Sequence, residues 1–112
     1  MGTTTLGKVL VDGDGRTLYL FTKDTQNKAS VCESTCATIW PPDTVTGSPV
    51  AGTGIEASKL SVIKRSDGTE QVAYNGWPLY RYSKDAKAGD NNGEGVQGVW
   101  FAVDATGTAM KA

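Results

Sequence analysis

The chain has 112 residues, with 12 acids, 11 bases and no histidine, for a net charge of −1. That length suits one domain with a modest core. Interspersed charges leave no basic stripe for nucleic acid and no polybasic membrane anchor, and no apolar run approaches the ~20 residues that span a bilayer.

Residues 1–5, Met-Gly-Thr-Thr-Thr, do not form a signal peptide and read as an expression start placed on a mature domain. Residues 8–11 and 16–21 are β-rich and flank Asp12-Gly13-Asp14-Gly15, which predicts a hairpin. Alternation along 17–22 puts Leu18 and Leu20 on one face and Tyr19, Phe21 and Lys23 on the other. Apolar weight on both faces suits strands central to a sheet or between layers.

Ser30-Val31-Cys32-Glu33 has the form of a capping box, and Cys32, Cys36, Ile39 and Trp40 follow at helical spacing. A short helical turn is expected over 30–40, stopped by Pro41-Pro42. Residues 43–58, rich in Gly, Thr, Ser and Pro, form a linker. Residues 60–64 read as a strand before a Ser66-Asp67-Gly68 turn. Residues 70–74 and 79–82 flank Asn75-Gly76, a strong hairpin cue, with Pro78 at the opening of its strand. A glycine-rich loop over 86–98 leads to a last strand at 99–103, and 105–112 adds little pairing.

Much of this is said twice. Tyr19-x-Phe21-x-x-Asp24 returns as Tyr80-x-Tyr82-x-x-Asp85, 61 residues on. Asp14-Gly15 matches Asn75-Gly76, Val11 matches Val72, and Trp40 matches Trp100 at nearly the same distance. A period of that length marks two copies of one supersecondary unit. Repeat one spans about 6–42 and repeat two about 59–103, within a single domain over 1–112. The expected fold is all-β: two hairpin or meander repeats packed about a pseudo-two-fold axis into a sandwich- or barrel-like domain.

Several blocks in order then resemble a bacterial secreted-repeat lipoprotein family of unknown function. They are the two Tyr-x-aromatic-x-x-Asp motifs, Ser30-x-Cys32-x-x-x-Cys36-Ala37-x-x-Trp40-Pro41-Pro42, Arg65-x-Asp67-Gly68, 71–76, and Gly89-Asp90-x-x-Gly93-x-Gly95. The resemblance implies an exported protein at the cell envelope, its precursor held at the membrane by a lipidated cysteine and this chain itself soluble. It implies no enzymatic mechanism.

The candidate chemistry is sparse. Cys32 and Cys36 at helical spacing would bring their Cα atoms about 6 Å apart, within disulfide range. A structural disulfide is expected, with a redox pair or a Cu(I) site as alternatives. Asp24 and Asp85 read as structural acceptors at strand-to-loop corners, because they occur in both copies. Tyr19, Phe21, Tyr80 and Tyr82 read as core or corner residues, and Trp40 and Trp100 as a paired core element. Asp90, Asn92 and Glu94 form a loosely calcium-like set that lacks the EF-hand spacing. Trp77, beside a turn and without a matching Trp, is the candidate exposed aromatic contact.

Without histidine there is no Ser-His-Asp or Cys-His arrangement, and no glycine cluster forms a phosphate loop. A two-carboxylate hydrolase stays open but nothing pairs the acids. The expected function is a non-enzymatic extracytoplasmic binding or scaffold module. Its partner is an unidentified envelope protein or ligand, and no resident cofactor is expected. The alternative is redox or copper handling at Cys32 and Cys36.

Overall fold

The computed structural model describes residues 2–4, 7–12, 15–24, 35–45, 55–65, 68–87 and 89–110. Among them lie seven short strands: β1 (Gly2–Thr4), β2 (Gly7–Val9), β3 (Tyr19–Phe21), β4 (Leu60–Lys64), β5 (Glu70–Tyr74), β6 (Trp77–Pro78) and β7 (Trp100–Ala102). One helical turn, α1 (Thr35–Ile39), falls inside the expected 30–40 stretch, and residues 30–34 lie outside the described ones. Every pairing is antiparallel: β1 with β2, β3 with β7, and β4-β5-β6 as a three-stranded sheet.

Both predicted hairpins form. In the first, Val11 bridges Thr17, and Leu18 donates its N–H to the Leu10 carbonyl at 3.0 Å. In the second, Asn75 (φ 53°) and Gly76 (φ 80°) make the left-handed two-residue turn that matches strand twist. Leu79 N–H then donates to the Val72 carbonyl at 2.9 Å. The ladder starts earlier than expected, because Pro78 pairs with Ala73 inside β6 and only its missing donor is tolerated there.

Gly2–Thr4 is a strand in register with Gly7–Val9. A Cβ on Gly2 would stand 2.6 Å from a Val11 methyl, so a bare backbone is what fits there. The stretch read as linker also begins inside a ladder. Thr44 bridges Gln71, and Val45 N–H donates to the Glu70 carbonyl at 2.9 Å. Thr44 and Val45 are polar-apolar neighbours like any edge strand, a signal masked by the small-residue composition that follows.

The repeats do not sit side by side; they exchange strands. At the centre Tyr19 and Tyr80 trade both backbone bonds, at 2.8 and 2.9 Å. Outside them, Tyr19 pairs with Ala102 and Tyr80 with Pro42. The terminal strand of each copy therefore lies beside the motif strand of the other. Equivalent bonds repeat on both sides of the axis. Thr22 donates to the Val99 carbonyl and Ser83 to that of Ile39, while Asp24 and Asp85 close the same turn onto Phe21 and Tyr82, each at 3.0 Å.

Strand alternation gives this centre two cores. Tyr19, Trp40, Tyr80, Tyr82 and Trp100 face one side, and Leu10, Leu18, Leu20, Val72, Tyr74, Leu79 and Val103 the other.

Candidate functional site

The motif aromatics assemble a symmetric column. Phe21 stacks on Trp100 at 4.2 Å, Trp100 on Trp40 at 3.8 Å with planes 1° apart, and Trp40 on Tyr82 at 4.0 Å. Tyr19 stands edge-on to Trp40 at 5.5 Å, and Tyr80 edge-on to Trp100 at 5.1 Å. Such pairs contribute roughly 0.5–1.5 kcal/mol each beyond area burial.

The two tyrosines are tied down across the axis. Tyr19 Oη donates to Asp85 Oδ2 at 2.6 Å, and Tyr80 Oη donates to Asp24 Oδ2 at 2.6 Å. Each motif thus supplies a phenol that its own aspartate does not receive. Burial, then the bond to Asp85, pushes the Tyr19 phenol above its ordinary value, so it stays a donor. Asp85 Oδ1 also accepts the Asn92 N–H at 2.9 Å, and Tyr19 Oη accepts the Gly93 N–H at 3.2 Å. Gly93 is required: a Cβ there would lie 2.8–2.9 Å from Trp40 and Tyr19. The aspartates are corner residues as expected, but their strongest partners are phenols of the other repeat.

One end of the column opens into a groove of about 610 Å³. Its floor is the buried edge of Trp40, Trp100 and Tyr82 with half-buried Phe21. One wall comes from α1, with Cys36 and Ile39, and the other from the loop before β7, with Val96 and Val99. These walls are equivalent under the pseudo-two-fold relation, Ile39 with Val99 and Cys36 with Val96. Lys23 and Lys84, the residues before the two aspartates, rim it on opposite copies. No acid lines it among the described residues, since Asp24 and Asp85 are turned inward. Ile39 is 42% exposed, the exposed large hydrophobic among the described residues. The described residues offer an apolar, aromatic floor with Lys23 and Lys84 at the rim.

The other candidates lie elsewhere. Cys32 is outside the described residues; Cys36 stands in the groove wall and carries no free thiol. Asp90 Oδ2 accepts the N–H groups of Ala86 and Lys87, and Glu94 Oε1 accepts that of Ala102. Asn92 donates to the Lys84 carbonyl. Their polar atoms thus stitch a loop. No group of three or more acids, cysteines or histidines able to hold a metal occurs among the described residues. Trp77 is half-buried and packs against the aliphatic core. Sequence reasoning missed Lys23, Lys84 and Ile39. The usable signal was the alternation that puts Lys23 on the face of Tyr19 and Phe21, repeated at Lys84.

Residues 1–43 and 61–104 each match the model of a family described as a secreted repeat of unknown function. No curated protein and no solved structure matches the chain.

Proposed function

The chain belongs to the family of secreted repeats of unknown function, and from that premise we propose that it is a non-enzymatic, extracytoplasmic binding module whose ligand enters the two-fold groove. The family description carries the extracytoplasmic location in general terms. The observation that supports the site is the pairing of Lys23 with Lys84 around a partly exposed apolar and aromatic surface. Its volume falls within the roughly 300–1,000 Å³ of small-molecule sites. The chemistry suits a flat apolar ligand bearing an anionic group. In this reading the precursor is tethered at the envelope by lipid and the module works without a resident cofactor.

Anilinonaphthalene sulfonate, an aromatic anion, is the test probe. Wild-type protein is expected to bind it, and Lys23→Glu/Lys84→Glu to bind it at least tenfold more weakly, because two rim cations become anions. Equal binding by the two proteins contradicts the reading.

A second reading makes Cys32 and Cys36 a disulfide that opens and closes, since Cys36 lies in the groove wall without a free thiol. Thiol titration across a range of glutathione ratios separates the two. A bond that survives mild reductant is structural; one reduced near cytosolic or periplasmic poise, or a Cu(I) site lost in Cys32→Ser, favours redox or copper handling.

A further inference from the structure

The aliphatic face departs from the two-fold pattern at one place. Val103 and Asp43 are equivalent, with Leu10 rather than Val11 in the place of Val72: Leu10 N–H donates to the Val103 carbonyl at 2.8 Å, and Val72 N–H to the Asp43 carbonyl at 2.7 Å. Val103 is fully buried. Asp43 sets a carboxylate where the other copy has an isopropyl group. A second departure lies close by, since Arg81 stands where the first copy has Leu20, itself 1% exposed. Arg81 Nη1 is 3.6 Å from Asp12 Oδ2.

Asp43 and Asp12 line a cavity of about 190 Å³ whose other described lining residues are mainly aliphatic, with Leu10, Leu18, Leu60 and Leu79. The Asp43 carboxylate accepts no hydrogen bond from any described residue. Burial, then Asp12, push its pKa up to about 6 and Arg81 pulls against them. These are the charged groups that face it. When Asp43 is ionised, its carboxylate and that of Asp12 stand with the Arg81 guanidinium among the described residues at the cavity mouth.

We propose that this cavity binds a small monocation with an apolar body, an amine of about the size of benzylamine. An aliphatic cavity of about 150 Å³ accepts benzene, so the volume is sufficient. An ammonium group would give the Asp43 carboxylate charge-assisted hydrogen bonds that it receives from no described residue. The site is independent of the groove and opposite to it in sign.

The test is a pair of titrations of the whole protein, with benzylamine and with its neutral isostere benzyl alcohol, followed by methyl shifts of Leu10, Leu18 and Leu79. At pH 7.5 benzylamine is expected to bind at least about tenfold more tightly than the alcohol. At pH 5, with Asp43 largely protonated, the preference should fall below about threefold. Asp43→Asn should abolish the preference at both pH values while the alcohol still binds; the substitution removes a desolvated charge, so folding is not at risk. Equal affinity of the two ligands at pH 7.5, a preference that survives Asp43→Asn, or no methyl shifts with either ligand would overturn the proposal.

Discussion

The two faces of the central strands obey the repeat differently. On the aromatic face every ring has a counterpart: Tyr19 and Tyr80, Phe21 and Tyr82, Trp40 and Trp100, with equivalent contacts to the tryptophans and one edge contact, Tyr19 to Tyr82 at 6.3 Å, made by one side alone. On the aliphatic face Leu18 and Leu79 are matched, but Asp43 replaces a valine and Arg81 a leucine. A duplicated fold keeps what holds it together in both copies. Charge placed into one copy's apolar position costs stability where, as at half-buried Asp43, water is partly excluded. The aromatic face is therefore where the two copies agree, and the aliphatic face is where they differ.

The contrast can be broken in order of expected effect. Trp40→Ala removes the centre of the column and should cost about 3–5 kcal/mol in urea unfolding, with Trp77→Ala costing clearly less because Trp77 is half-buried and outside the stack. Comparable losses would mean that the column is not the organising core. Tyr80→Phe and Tyr19→Phe each leave a buried aspartate without its phenol and should cost about 1.5–3 kcal/mol.

Asp43 should behave in the opposite sense. Its folded pKa, about 6, lies above the ordinary 3.8, so the unfolded chain loses its proton first as pH rises. Stability contributed by this group is full below pH 4 and declines between about 4 and 6, by about 3 kcal/mol. Asp43→Asn should flatten that slope and be the more stable protein at pH 8. Finally, Lys23→Glu and Lys84→Glu should change stability by less than about 0.5 kcal/mol, as exposed rim residues do, while altering binding of the anionic probe.

Much of the fold was legible because hairpin chemistry is local. Asn75-Gly76 fixes a turn by its own backbone preferences, and the strand at Leu60–Lys64 carries its β-rich run in five residues. The doubling of the motif pointed to a pseudo-two-fold arrangement. Strand exchange was not legible, because nothing in a repeat states whether its terminal strand returns to its own hairpin or crosses to the other. Tyr19 pairs with Ala102 rather than with Pro42, a choice set by tertiary packing of the two tryptophans. The partners of Asp24 and Asp85 were hidden for the same reason. A short Asp after a strand reads locally as an Asx acceptor, and its true donor lies 56 or 66 residues away. The groove lysines were visible as a repeated Lys-Asp pair, but a lysine beside an acid is ordinary surface until its neighbours are known. Asp43 was unreadable alone, since it follows two prolines in a polar run and only its equivalence to Val103 marks it as misplaced.

The exchange between repeats is best tested by four double-mutant cycles with Tyr→Phe and Asp→Asn, two joining residues across copies and two within a copy. Tyr80 with Asp24 and Tyr19 with Asp85 should show coupling of about 1–3 kcal/mol, while Tyr19 with Asp24 and Tyr80 with Asp85 should add independently to within about 0.5 kcal/mol. Coupling confined to the within-copy pairs would show that each repeat closes on itself and would contradict the interlocked fold.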